Sequence, residues 1–266
     1  MLERELLLKL AAEYGTPLFV YDGDMVVERY NDLFRFIPWE RLRIHYALKA
    51  NYNPALLTLL RDAGAGLDTV SPGEVHLALK LGFSPEKIIY TANNMTDAEV
   101  EEVLATGVVM NIGSLSRLRK LAKSHPGLDL CLRFNPDVRD GDSEKTMTGG
   151  DLTKFGILLE SVDEVLEIVR EGKFRIVGLH EHTGSGLQHA ESVYQSMENL
   201  MRIATKANFP DLQFLDFGGG FRLKLLDTSQ EFIDFVSHIL IVFLFCLLLN
   251  DIVVTCKVIK KLRYVA

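Results

Sequence analysis

A lone lysine closes an otherwise apolar stretch in Tyr46-Ala47-Leu48-Lys49-Ala50-Asn51. At the mouth of a buried strand, desolvation lowers the pKa of an amine and turns it into a nucleophile able to form a Schiff base. The position also suits a lysine that snorkels out from a strand end. His180-Glu181-His182-Thr183-Gly184-Ser185-Gly186 alternates, so His180 and His182 share one face and Glu181 points to the other. Two histidines without a third ligand nearby make a poor zinc site. An imidazole stacked on a flat ring, with Ser185 gripping an anion, uses the same residues better; a pair of hydrogen-bonded core histidines is the alternative. Asp216-Phe217-Gly218-Gly219-Gly220-Phe221 places three glycines directly after an apolar strand. Backbone N–H groups there can approach a phosphate closely, although a glycine-rich hairpin would read the same way. The run is not GxGxxG and no acid follows at dinucleotide spacing, so a dinucleotide fingerprint is not supported.

These groups need a scaffold that brings them together. Apolar, β-branched runs occur at 42–48, 66–70, 87–91, 108–112, 128–134, 175–180 and 213–217. Helical spacing fills the intervals, with capping patterns at Ser71-Pro72-Gly73-Glu74, Thr96-x-x-Glu99 and Ser161-x-x-Glu164, and helix stops at Gly82, Gly107 and Gly172. Strand–helix alternation implies parallel strands with crossover helices, in a doubly wound sheet or a (β/α)8 barrel. The barrel is favoured because polar residues follow each strand: Lys49 and Asn51, Asp68 and Ser71, Asn93 and Asn94, Arg133 and Asn135, then the histidines and the glycine run. In a barrel they meet on one face. Residues 135–150 form a long polar segment, read as a lid, a binding loop or a disordered insert.

Composition removes other classes. The net charge of −7, from 29 basic against 36 acidic residues, argues against a nucleic-acid-binding protein. Cys131, Cys246 and Cys256 are odd in number and scattered, which fits a reducing cytoplasm rather than a disulfide framework or metal site. Acids interrupt the apolar N-terminal stretch, so it does not read as a signal peptide. Residues 239–249 (ILIVFLFCLLL) are apolar throughout, yet fall short of the ~20 residues a spanning helix needs, so a membrane partner is not expected.

The motifs in combination resemble the pyridoxal-phosphate-dependent basic amino acid decarboxylases with an alanine-racemase-like barrel, nearest to those acting on diaminopimelate. The pieces that match, in family order across about residues 14–222, include Thr16-Pro17-Leu18-Phe19-Val20-Tyr21-Asp22, the Lys49 motif and Gly66-Leu67-Asp68-Thr69-Val70-Ser71-Pro72-Gly73-Glu74. They continue with Leu132-Arg133-Phe134-Asn135-Pro136-Asp137, Thr148-Gly149-Gly150, Lys154-Phe155-Gly156-Ile157, the histidine motif and the glycine run. The resemblance implies that Lys49 binds pyridoxal 5'-phosphate covalently and acts as acid or base. It further implies that His182 stacks on the ring, that Ser185 and Gly218, Gly219 and Gly220 hold the phosphate, that Asp68 lies near the cofactor and that Arg133 lies near cofactor and substrate. The implied reaction converts diaminopimelate to lysine and carbon dioxide in a cytoplasmic homodimer, with ornithine, lysine or carboxynorspermidine as alternative substrates and a non-catalytic cofactor-binding remnant as the alternative role.

The likeness stops after Phe221. A Glu-Pro-Gly-Arg motif on the family's eighth strand and a following β-domain have no counterpart in residues 223–266. The expectation is a barrel domain over 1–222 with seven family strands, an unrelated apolar tail over 223–266, impaired activity and loss of much of the dimer interface. Residues 239–249 or 251–256 are the candidates to fill the place of the eighth strand.

Overall fold

The structure is a computed structural model that describes residues 2–37, 39–140, 149–150, 154–185, 187, 189–220 and 253–258. Seven strands arise where the β-branched runs lie: β1 (Leu42–Ala47), β2 (Gly66–Thr69), β3 (Ile88–Tyr90), β4 (Val109–Ile112), β5 (Asp129–Asn135), β7 (Arg175–His180) and β8 (Phe214–Gly219). A two-residue strand, β6 (Ile157–Leu158), hangs on the end of β5. An eighth barrel strand comes from the tail, β9 (Val253–Val258). It runs parallel to both β8 and β1, with Leu215 and Leu42 each in register with Val254. Together with the β4–β5 pairing, this closes a parallel ring in the order β1-β2-β3-β4-β5-β7-β8-β9. The eighth place is therefore held by the 251–256 candidate, shifted by two residues; the 239–249 run, Cys246, Thr148, Gly186 and Phe221 lie outside the described residues.

Helices α1 (Arg4–Tyr14) and α2 (Gly23–Phe36) precede the barrel. Crossovers are made by α3 (Pro54–Asp62), α4 (Pro72–Lys80), α5 (Asp97–Leu104), α6 (Leu115–Ser124), α7 (Val162–Gly172) and α8 (Ala190–Ile203). Their apolar stripes, such as Leu118 and Leu121 of α6 and Val165 and Ile168 of α7, are buried against the outward strand residues Leu67, Ile88, Leu132, Leu179 and Leu215. Each such side chain stabilises the layer by ~1.5–3 kcal/mol. Local signals start the helices: Thr96 and Glu99 form a complete capping box, and Ser71 Oγ accepts from the Glu74 N–H. Ser161 departs from expectation, because it ends a short 3-10 turn with ψ near 10° and its hydroxyl caps nothing. Gly172 is the last residue of α7 rather than its stop; Lys173 takes the left-handed position at φ 53°. Gly172 is still required, since a Cβ there would meet the Phe174 ring at 2.5 Å.

Polar residues fill the barrel interior around Asn111, Arg133, His180 and Asp216. Asn111 of β4 and His180 of β7 are hydrogen-bonded at 2.8 Å although β5 stands between their strands, so the bond passes through the barrel. Arg133, His180 and Asp216 share one register row and face inward with it. Toward the N-terminal end of the strands the interior widens into a cavity of ≈ 650 Å³, lined in part by Arg43, His45, Gly66, Ile89, Val109 and Phe214. Among the described residues no helix is long and apolar enough to cross a membrane.

Candidate active site

Among the described residues, Lys49, Asp68, Arg133, His182, Ser185 and Gly218 to Gly220 lie near or just beyond the C-terminal ends of their strands. Lys49 lies in the 3-10 turn Leu48–Ala50 that continues β1, with an exposed side chain. Its charge acts on Glu74 of α4, whose carboxyl burial pushes above the usual range while the Val70 N–H and Lys49 pull it back. Asp68, beside Ala47 in register, is buried at the end of β2. Arg133 is buried on β5, its guanidinium carbon 5.2 Å from the centre of the Phe155 ring, a cation–π distance. Desolvation holds Arg133 down to about 10, opposed by the neighbouring acids Asp68, Glu181 and Asp216. A buried cation among buried acids is tolerated because each offsets part of the other's desolvation.

The strand ends of β7 and β8 are laced together. The Glu181 N–H donates to the Asp216 carbonyl at 2.9 Å, and the Gly218 N–H donates to the Asp216 carboxylate at 2.9 Å. The Gly219 N–H donates to Nδ1 of His182 at a long 3.4 Å, which leaves the proton of a neutral ring on Nε2. Gly218 (φ 66°) and Gly220 (φ 90°) are left-handed, and a Cβ at either would lie 2.6 Å from the Glu181 carbonyl or 2.2 Å from that of Gly184. Only glycine lets this turn press against the histidine motif. Ser185, half-buried, flanks Gly220, and the Leu187 N–H donates to the Gly220 carbonyl at 3.0 Å.

The described ends of the 135–150 segment are fastened to the same rim. Asn135 Oδ1 accepts from Gly150 N–H at 2.9 Å while Asn135 Nδ2 donates to the Gly150 carbonyl at 2.8 Å. Gly149 N–H donates to the Thr183 carbonyl. Beside this rim a cavity of ≈ 380 Å³ is lined by Asn93, Asn94, Ser114, Arg117, Lys120 and Lys154, among others. Among the described residues no group of three or more His, Cys, Asp or Glu is placed to hold a metal ion.

Three buried polar residues carried no role in the sequence reading. Asn111 interrupts the apolar Val108–Ile112 run, a signal in itself, and its amide bridges Thr91 and His180. Asp216 anchors the glycine turn. Glu181 does point away from the barrel axis, toward Ser196 of α8, and alternation alone says nothing of what it meets there.

Comparisons with known proteins bear on this geometry. A sequence model of the family described as "Pyridoxal-dependent decarboxylase, pyridoxal binding domain" matches residues 24–241. Diaminopimelate decarboxylase of Methanothermobacter thermautotrophicus is 41% identical over 230 residues, covering 84% of this chain and 53% of the relative. The structure of diaminopimelate decarboxylase from Helicobacter pylori complexed with L-lysine superposes with a TM-score of 0.80 at 27% identity, over 94% of this chain and 65% of that one. Lysine/ornithine decarboxylase of Vibrio vulnificus complexed with putrescine gives 0.79 at 25% identity, over 97% and 68%. The chain spans about half the length of the curated relatives it matches.

Proposed function

The chain belongs to the pyridoxal-dependent decarboxylases through the family's pyridoxal-binding domain, and from that premise we propose that it binds pyridoxal 5'-phosphate and decarboxylates diaminopimelate to lysine. The observation that carries the reading is the convergence of an exposed lysine, a buried imidazole held by a backbone N–H and two left-handed glycines on one rim. This donor set fits the cofactor: an amine for its carbonyl, a flat ring for its ring, and a cradle that a single Cβ at Gly220 would fill. When bound, pyridoxal phosphate supplies an electron sink for the bond from the α-carbon to the departing carboxylate.

The chain's own residues do the rest. Lys49 offers Nζ as the covalent attachment point and afterwards holds or returns a proton there. His182 presents its ring, oriented by the Gly219 N–H. Gly219 therefore contributes by aiming His182 and Gly218 by its bond to Asp216, and the phosphate falls to Ser185 and the neighbouring Gly220 amide. Arg133, flanked by Asp68 and Asp216, supplies a fixed cation for substrate or cofactor oxygens. β9 brings Lys257 and Val258, and no acid, level with Gly219 and Tyr46, so slow turnover is part of the proposal. So are the division of the chain at residue 222, a cytoplasmic location and a homodimer without nucleic-acid partners, the last open to mass measurement in solution.

The likeness to a lysine/ornithine decarboxylase favours a second reading with another basic amino acid as substrate. The test is titration with pyridoxal phosphate followed by assay of carbon dioxide from diaminopimelate, ornithine and lysine. A visible cofactor band that is lost in Lys49→Ala, with carbon dioxide released from diaminopimelate first, is expected. Absence of the band overturns the cofactor; a band without release from any substrate overturns the decarboxylase.

A further inference from the structure

Glu181 is 1% exposed and has no part in the reaction just described. Its carboxyl turns toward α8, where Ser196 Oγ stands 3.0 Å from Oε1, and Thr183 Oγ1 donates to Oε2 at 3.3 Å. Ser196 Oγ also lies 2.9 Å from the Val193 carbonyl, one turn back in its own helix. A hydroxyl has one hydrogen, and a carbonyl oxygen can only accept. One hydrogen serves only one of these two contacts; when it goes to the Val193 carbonyl, the contact with Glu181 is completed by a proton on Oε1.

The surroundings agree. Burial pushes the Glu181 carboxyl up to about 8; Asp216 of β8 adds to the rise, while Ser196 of α8, Thr183 and Arg133 of β5 oppose it. Its backbone is equally engaged. The N–H is held by Asp216, and the carbonyl forms the wall against which Gly218 packs, next to His182 Nδ1. A shift of Glu181 would therefore move both the ring and the glycine turn.

We propose that Glu181 is a positioning residue acting as a hydrogen-bond donor, its protonated carboxyl fastening α8 to the strand end that carries His182 and meets the glycine run. Its consequence for the cofactor rests on the function proposed above; its structural half does not.

Wild type, Glu181→Gln, Glu181→Ala and Ser196→Ala separate the possibilities, and the first readout is thermal unfolding without cofactor from pH 5 to 8.5. The folded chain keeps the proton up to about 8 and the unfolded chain only to about 4.5, so stability is fully present below the lower value, falls across the window and levels off above it. The wild-type midpoint is expected to fall roughly 5–10 °C more than that of Glu181→Gln, which keeps a donor but cannot ionise. Glu181→Ala is expected to unfold earlier at every pH, and Ser196→Ala to weaken the wild-type advantage at pH 5. The second readout is pyridoxal phosphate affinity, expected to weaken about fourfold more in wild type than in Glu181→Gln between pH 6.5 and 8.5. Superimposed unfolding profiles of wild type and Glu181→Gln overturn the proposal. Divergent unfolding with identical affinity profiles overturns the positioning role. Failure of wild type to bind the cofactor at any pH overturns the function reading alone.

Discussion

The amide Nδ2 of Asn111 lies 2.8 Å from Nδ1 of His180, across the inside of the barrel. An amide nitrogen only donates, so His180 Nδ1 accepts and a neutral ring carries its proton on Nε2. The same amide reaches Thr91 Oγ1 at 3.2 Å, tying β3, β4 and β7 into one polar unit beneath the site. Replacing Asn111 by Leu strips two buried partners at once. The expected loss is ~2–4 kcal/mol of stability in urea unfolding, with the m-value unchanged.

Arg133 stands among Asp68, Glu181 and Asp216. Removing the cation in Arg133→Met leaves the buried Asp68 and Asp216 uncompensated, which costs ~3–5 kcal/mol near pH 8. The sign with pH follows from Glu181: Arg133 lowers the pKa of its carboxyl, so without the guanidinium the folded chain holds that proton more tightly and the variant recovers stability as pH falls. Unfolding at pH 8 and pH 5.5 is expected to show the deficit shrinking on acidification.

Gly220 at φ 90° faces the Gly184 carbonyl at a distance no Cβ tolerates. Gly220→Ala must push Ser185 away from the turn. Pyridoxal phosphate affinity is expected to fall at least about tenfold, of the order of 1.4 kcal/mol, while far-ultraviolet circular dichroism stays near wild type. Unaltered affinity would remove the glycine turn from the cofactor site.

The seven strands inside residues 1–222 were legible because each is a short β-branched run bounded by caps and glycines, and the structure shifts none of them by more than two residues. The rim positions of Lys49, Asp68, Arg133 and His182 follow from the same reading, since parallel strands deliver their exits to one face. β9 was harder. The run at 239–249 is more apolar than 251–256, and apolarity alone cannot say which stretch pairs with β1 and β8. Asn111 and Glu181 were missed for a related reason. Alternation tells which side of a strand a residue faces, but its partner there depends on the stagger between strands far apart in sequence.

Deleting residues 251–266 tests the closure. Without β9, β1 and β8 each present a row of unpaired backbone groups, which invites pairing with another chain. The shortened protein is expected to elute as large species in size-exclusion chromatography, where the full chain elutes as a discrete one.

That closure also bears on biosynthesis. Leu42 and Val254 are register partners although roughly 210 positions separate them along the chain, a pairing of very high contact order. During translation β1 emerges early, and its outer edge waits until roughly 210 further residues have followed it. Over that interval the nascent barrel is an unclosed crescent whose strand edges are open to pairing with other chains.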